Sequence, residues 1–142
     1  MSRYLLDVNV LLALFDPTHL HHEQCHDWVS RQGSFAWASC PLTENGFARV
    51  ISNPKYPNIE TTPQEALSSL NQFAQSSNHS FWPDSISLRK HDVTKFGPKQ
   101  LTDTYLVQLA SKNDGKLATL DRRLKRAWNN TPHADHVFLI GN

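Results

Sequence analysis

The first forty residues alternate short apolar runs with stretches in which apolar side chains recur at helical spacing. Tyr4 to Leu6 has the pattern of a short buried strand, and helical periodicity begins directly after Asp7. Asp16-Pro17 ends that helix. A more polar helix is predicted over residues 19–31, before Gly33, and a strand over residues 35–38.

The rest of the chain repeats the same alternation. The predicted elements are, in order, helices over 41–51 and from 62–63 onward, a strand over 79–82, a helix over 103–112, a strand over 117–120, a helix over 122–128 and a strand over 137–140. Short strands that are nearly all apolar and alternate with helices favour a parallel sheet covered on both faces. We therefore predict an α/β fold, a three-layer α/β/α sandwich with a central, mainly parallel sheet of four to five strands.

Composition narrows the class of protein. A chain of 142 residues with 39% hydrophobic and 19% charged side chains predicts a single domain over residues 1–142 and excludes a disordered tail. The formal charge of +1 gives no general attraction to polyanions, so any nucleic-acid surface must be a local patch. Cys25 and Cys40 are too few for a disulfide framework. No apolar stretch is long enough to cross a membrane, so a cytoplasmic protein with no membrane partner is expected.

Four acidic residues differ from the rest because they lie beside apolar side chains, at or just after predicted strand ends: Asp7, Glu44, Asp103 and Asp121. Taken singly, Asp7, Asp103 and Asp121 are typical of helix N-caps or first-turn acids. Taken together, all four would gather at the carboxyl edge of the sheet, where α/β proteins bind ligands and where like charges repel. A hard divalent cation such as Mg²⁺ or Mn²⁺ removes that repulsion and prefers oxygen ligands. The spacing therefore favours a metal-dependent phosphate hydrolase.

The segments that carry these acids occur in the order found in one known family. They are Leu5 to Leu14, Cys40 to Phe47, Phe81 to Asp84, Gln100 to Asp103 and Leu117 to Leu124. Over almost the whole chain this pattern resembles the PIN-domain ribonucleases, specifically the VapC-type toxins of bacterial toxin–antitoxin pairs. The resemblance implies that Asp7, Glu44, Asp103 and Asp121 are catalytic. It also implies that Asp7 and Asp103 bind the metal most directly, while Asn9 and Thr119 orient carboxylates by hydrogen bonds.

The same resemblance implies an activity and partners. It implies a metal-dependent endoribonuclease that hydrolyses RNA phosphodiester bonds with a metal-activated water, using Mg²⁺, for which Mn²⁺ can substitute. Transfer RNA or ribosomal RNA is the expected substrate, a small antitoxin protein the expected inhibitor, and a homodimer the expected assembly. Arg122 and Arg123, directly after Asp121, are candidates for binding RNA phosphates beside the acidic pocket.

Two other classes of function compete with this interpretation. His22, Glu23 and His26 spell the HExxH pattern of zinc hydrolases, although no third ligand can be assigned. A non-catalytic, Mg²⁺-binding receiver-like module would need an acceptor aspartate after the middle strand, where the chain has Ala38-Ser39-Cys40.

Aromatic residues raise a separate question about RNA stacking. The four tryptophans, Trp28, Trp37, Trp82 and Trp128, are predicted to pack in the core. The loop Lys55-Tyr56-Pro57 is the candidate for an exposed aromatic contact with RNA.

Overall fold

The computed structural model describes residues 2–141 and contains the predicted strands and helices in the predicted order. The strands are β1 (Tyr4–Leu6), β2 (Ala36–Ser39), β3 (Asn78–Phe81), β4 (Lys116–Thr119) and β5 (Val137–Leu139). The α-helices are α1 (Val8–Phe15), α2 (His22–Arg31), α3 (Pro41–Ile51), α4 (Pro63–Gln75), α5 (Leu101–Lys112) and α6 (Arg122–Trp128). Short 3₁₀ turns lie at Leu88–Lys90, Pro98–Gln100 and Ala134–His136.

The five strands form one sheet in the order β3-β2-β1-β4-β5, and every pairing is parallel. The chain moves outward from β1 through β2 to β3, then returns to pair β4 with the other side of β1. The winding direction therefore reverses between β1 and β4, which is the position where ligands bind in open parallel sheets. The predicted mainly parallel sheet of four to five strands is confirmed.

Alternate residues of the central strands face the two helical layers. Leu6 and Trp37 pack in a core with residues of α1 to α4, whereas Leu5 and Leu117 pack in a second core with residues of α5 and α6. All four of these strand residues are fully buried. Apolar side chains on both faces of each strand produce this arrangement, and the three-layer sandwich is confirmed.

Two helices begin elsewhere than predicted. The second helix begins at His22 rather than residue 19, because the Asp16 carboxylate accepts hydrogen bonds from Thr18 N (2.9 Å) and Oγ1 (2.7 Å) and holds a turn there. Helix α5 begins at Leu101, directly after the 3₁₀ turn, so Asp103 lies in its first turn and does not follow a strand. The expectation that each of the four acids stands at or near a strand end is wrong for Asp103.

The tryptophans are buried as predicted, but the loop aromatic is not the exposed side chain expected. The Tyr56 hydroxyl donates a hydrogen bond to Asp16 Oδ2 (2.7 Å), and the half-buried ring packs against the first core. Cys25 and Cys40 are buried free thiols. Within residues 2–141 no helix has the length and apolar character needed to cross a bilayer.

Candidate active site

Asp7 and Thr119 meet at the point where the winding of the sheet reverses. Leu6 pairs with Ala118 in the β1–β4 ladder, so Asp7 and Thr119 are the next residues toward the carboxyl edge. Thr119 Oγ1 donates a hydrogen bond to Asp7 Oδ2 (2.8 Å), and Val8 N donates to Asp7 Oδ1 (2.8 Å). Asp7 is also the N-cap of α1. Both oxygens of the Asp7 carboxylate are therefore fixed by the local backbone and by β4.

Asn9 and Asp121 contact the same threonine from opposite sides. Asn9 Nδ2 donates to Thr119 Oγ1 (3.3 Å), and the backbone N–H of Asp121 donates to the same oxygen (3.1 Å). Asn9 Oδ1 in turn accepts a hydrogen bond from Leu120 N (3.2 Å). One donated and two accepted bonds use the full capacity of the Thr119 hydroxyl. Thr119 therefore orients Asp7 directly, whereas Asn9 acts on Asp7 through Thr119.

Asp121 completes this edge as the N-cap of α6. Its Oδ1 atom accepts hydrogen bonds from Arg123 N (2.8 Å) and Leu124 N (3.3 Å). The capping role considered for Asp7 and Asp121 is thus present in both, and it fixes where each carboxylate lies. Capping and a role at the site are compatible, because one carboxylate can accept several hydrogen bonds and still carry its charge.

Asp103 shares an electrostatic environment with these two aspartates. Burial, and then the negative charges of Asp7 and Asp121, raise the pKa of Asp103 to about 6. Burial also raises the pKa of Asp7; hydrogen bonds from Thr119 and Val8 oppose this, and the charge of Asp121 adds to it. The three carboxylates therefore repel one another across one edge of the sheet. One lies in α5, one directly follows β1, and one lies near the end of β4.

Glu44 lies in a different hydrogen-bonded cluster. Its Oε2 atom accepts a hydrogen bond from Ser39 Oγ (2.6 Å), and the same Ser39 oxygen lies 2.7 Å from His79 Nε2. Burial lowers the pKa of His79, and the nearby charge of Glu44 opposes that shift. Of the four predicted acids, Asp7, Asp103 and Asp121 therefore share one electrostatic environment, and Glu44 is anchored by Ser39.

Sequence reasoning did not single out Ser39 or His79 as site residues. The only available signal was positional: Ser39 ends β2, five residues before Glu44, and His79 lies in the strand predicted to follow. The pattern of apolar residues does not predict that β3 pairs with β2.

The donor set at this edge fits a hard divalent cation. Among residues 2–141, no three His, Cys, Asp or Glu side chains stand close enough together to form a metal site as they are. The three coupled aspartates nevertheless offer only oxygen donors, and their mutual repulsion is the conflict that a cation relieves. Asp7 and Asp103 would be the residues to hold Mg²⁺ or Mn²⁺.

The HExxH histidines have a structural role. His22 Nδ1 donates to the Ala13 carbonyl (2.7 Å), and His26 Nε2 donates to the Leu14 carbonyl (2.9 Å). A carbonyl only accepts, so these two nitrogens carry protons. These bonds satisfy carbonyls in the last turn of α1. The zinc hydrolase alternative built on His22, Glu23 and His26 is not favoured, because among residues 2–141 no third ligand stands with the two histidines.

The basic residues after Asp121 divide into two groups. Arg122 and Arg123 are both exposed in the first turn of α6, next to Asp121. Lys125 instead donates its Nζ protons to the carbonyls of Ala134 (3.2 Å) and Val137 (2.9 Å), so it ties α6 to the last strand. Of these three cations, the two arginines are the ones available beside the acidic edge.

Comparison with known proteins shows the family of this chain. The family model described as PIN domain matches residues 4–129. The chain belongs to the PIN domain family. It is 41% identical over 126 residues to Ribonuclease VapC44 of Mycobacterium tuberculosis, covering 86% of this chain and 88% of that protein. It is 37% identical to Ribonuclease VapC39 of the same organism, with 84% and 89% covered. Ribonuclease VapC29, also from that organism, is 36% identical with 96% and 95% covered.

Membership of the PIN family confirms the resemblance noted in the sequence and does not favour either alternative. A receiver-like module would carry its acceptor aspartate after β2, where the structure has Ser39 bound to Glu44. The matched region contains all four acids together with Asn9 and Thr119.

Proposed function

We propose that this PIN-domain protein is a metal-dependent endoribonuclease and the toxin of a toxin–antitoxin pair. One observation carries the proposal: at the reversal point of a parallel sheet, the Thr119 hydroxyl bonds both to the Asp7 carboxylate and to the backbone of Asp121. The charges of these two aspartates also raise the pKa of Asp103, after burial. The relatives at 36–41% identity are named VapC ribonucleases, which supports RNA as the substrate.

Each residue has a distinct role in this proposal. Asp7 and Asp103 hold the cation, and Asp121 and Glu44 complete the negative pocket around it. Thr119 keeps the Asp7 carboxylate in one orientation by the 2.8 Å hydrogen bond, and Asn9 keeps Thr119 in place. A bound Mg²⁺ or Mn²⁺ supplies positive charge against a phosphoryl oxygen and makes a water a better nucleophile near neutral pH.

The substrate side of the site is proposed to use the two arginines after Asp121. Arg122 and Arg123 stand in the turn that Asp121 caps, so their guanidinium groups can reach phosphates on either side of the cut bond. Structured RNA, transfer RNA or ribosomal RNA, is the proposed substrate class.

The proposed partners follow from the charge of the same edge. A protein inhibitor that places a basic side chain among Asp7, Asp103 and Asp121 would relieve their repulsion and occupy the cation site at once. This is the role proposed for the antitoxin. A homodimer stays a prediction, and the mass of the protein measured by light scattering during gel filtration tests it.

Cleavage of purified total transfer RNA tests the activity. The wild type and the variant Asp7→Asn are each incubated with EDTA, Mg²⁺, Mn²⁺ or Zn²⁺. We expect discrete products that require Mg²⁺ or Mn²⁺ and are lost in Asp7→Asn, which keeps the side-chain size and removes the charge. Circular dichroism confirms that the variant folds. A metal-dependent and active Asp7→Asn enzyme refutes the site. If wild type cuts neither transfer RNA nor ribosomal RNA with any metal, the ribonuclease proposal is wrong.

A further inference from the structure

The direction of the hydrogen bonds around Ser39 can be deduced from chemistry alone. Ser39 has one hydroxyl proton and lies 2.6 Å from Glu44 Oε2 and 2.7 Å from His79 Nε2. A carboxylate has no proton to give, so the Ser39 proton must point to Glu44. The Ser39 oxygen is then an acceptor, and His79 Nε2 must carry the proton that it receives. The hydrogen bonds therefore run in one direction, from His79 through Ser39 to Glu44.

The sheet register places these groups beside one another. Trp37 pairs with His79 in the β2–β3 ladder, so the two side chains share one face of the sheet. Ser39 follows Trp37 by two residues and lies on that same face, one step nearer the carboxyl edge. The His79 ring also packs against the Trp37 indole, with ring centroids 4.4 Å apart. His79 is thereby fixed by its strand and by a fully buried neighbour.

Glu44 has no comparable support from its own helix. It lies in the first turn of α3, where Cys40 and Thr43 bond to each other and not to Glu44. Cys40 N donates to Thr43 Oγ1 (3.0 Å), and Thr43 Oγ1 donates to Cys40 O (3.2 Å). Ser39, Glu44 and His79 also line one cleft of about 240 Å³ beside α4. A flexible glutamate at the border of open space needs an anchor to keep a single rotamer.

We propose that His79 is a positioning residue for Glu44, acting through the Ser39 hydroxyl. The inference rests on the proposed function in that Glu44 is taken to belong to the acidic pocket. His79 touches neither the three coupled aspartates nor, in this proposal, the RNA. Its task is to orient the Ser39 oxygen so that the only proton on it always faces the Glu44 carboxylate.

Nuclear magnetic resonance tests the direction of the bonds without any activity. Long-range ¹H–¹⁵N spectra show which imidazole nitrogen bears the proton, and a spectrum of His79→Gln assigns the signal among the eight histidines. We expect a proton fixed on Nε2 in the wild type, exchanging more slowly than in Ser39→Ala. An unprotonated Nε2 would mean that Ser39 donates to His79 and not to Glu44, and would overturn the proposal.

A matched pair of variants tests the positioning role. His79→Phe keeps a ring against Trp37 but has no donor, whereas His79→Gln keeps an N–H at about the position of Nε2. The ¹³C signal of the Glu44 carboxyl carbon should move in His79→Phe as it does in Ser39→Ala, and should stay in place in His79→Gln. An unmoved Glu44 signal in His79→Phe overturns the proposal. His91→Phe, a histidine outside this cluster, is the control for the substitution itself.

RNA cleavage then separates this inference from the proposed function. We expect His79→Phe to lower kcat by about 10- to 100-fold with KM unchanged, the usual effect of losing an outer hydrogen-bond partner of such a site. His79→Gln should restore the rate. In a Glu44→Gln background, His79→Phe should cost nothing more, because Glu44 is already lost. Full activity of His79→Phe overturns the inference, whereas an inactive wild type with the expected Glu44 signals overturns only the ribonuclease proposal.

Discussion

Replacing Asp103 by asparagine should stabilise the metal-free protein while removing activity. Burial and the charges of Asp7 and Asp121 raise the pKa of Asp103 to about 6, from an ordinary value of 3.8. The side-chain amide in the variant Asp103→Asn has a similar size but no charge to repel. The metal-free variant therefore lacks the charge repulsion that a bound cation relieves in the wild type.

The size of this effect follows from the shift. About two pKa units correspond to about 3 kcal/mol if no charge were screened. Asp103 is only half-buried, so solvent screening reduces the expected gain to about 1 kcal/mol. For a domain of this length, that gain raises the melting temperature by about 2–4 °C.

The pH dependence gives the sign of the effect. Unfolded Asp103 loses its proton near 3.8 and folded Asp103 near 6, so the folded state binds more protons between these values. The free energy of unfolding of the wild type therefore falls as the pH rises through this window, and Asp103→Asn is spared that fall. The gain from the substitution should be near zero below pH 3.8 and complete above about pH 7.

Differential scanning fluorimetry of both proteins at about pH 4 and about pH 7.5 measures this difference. Asp27→Asn is the control, because Asp27 is an exposed carboxylate on α2 away from the acidic edge. Added Mn²⁺ should raise the melting temperature of the wild type more than that of Asp103→Asn, since a ligand of the native state stabilises it. A gain that is equal at both pH values, or a loss at neutral pH, would refute the argument from charge repulsion.

Three further variants test other parts of the structure. Thr119→Val keeps the side-chain shape but removes the donor to Asp7, and should lower the free energy of unfolding by about 1–3 kcal/mol in urea titrations; an unchanged value would mean that this bond contributes nothing. Gly115→Ala would place a Cβ atom 2.6 Å from the Arg3 carbonyl oxygen and 2.6 Å from the Trp82 ring, and should cost about 1–3 kcal/mol in the same assay. A variant as stable as the wild type would mean that the Arg3 backbone and Trp82 can move aside freely. Replacing both Arg122 and Arg123 by alanine should weaken RNA binding, measured by fluorescence anisotropy at several salt concentrations. The slope of log affinity against log salt should become shallower by about 0.7 for each phosphate contact that is lost. A slope equal to that of the wild type would exclude the two arginines from the RNA surface.

The order of the secondary structure could be predicted because its signals are local. Apolar periodicity marks each strand and helix, and Pro17, Pro41 and Pro63 lie at or next to helix ends. The starts of α2 and α5 differ from the prediction because local hydrogen bonds and turns also set where a helix begins. A carboxylate that bonds to Thr18, or a 3₁₀ turn that runs into a helix, changes the boundary without changing the apolar pattern.

Asp7, Asp103 and Asp121 were identified from sequence because an acidic residue beside buried apolar ones is costly unless it has a task. Asp7 and Asp121 had the further mark of directly preceding a helix, which is a short-range feature. Thr119 and Asn9 were named from family resemblance. Their hydrogen bond joins residues 110 positions apart, and no local pattern reports it.

The α/β alternation, the acidic residues and the family can therefore be read from the amino-acid sequence, since each depends on neighbouring residues or on motifs in fixed order. Folding, in contrast, sets that Ser39 anchors Glu44, that His22 and His26 bond to carbonyls at the end of α1, and that His79 reaches Ser39. These relations depend on which strands pair, in which register, and on where each side chain finds a donor. Strand pairing joins residues far apart in the chain, so its geometry exists only in the folded molecule.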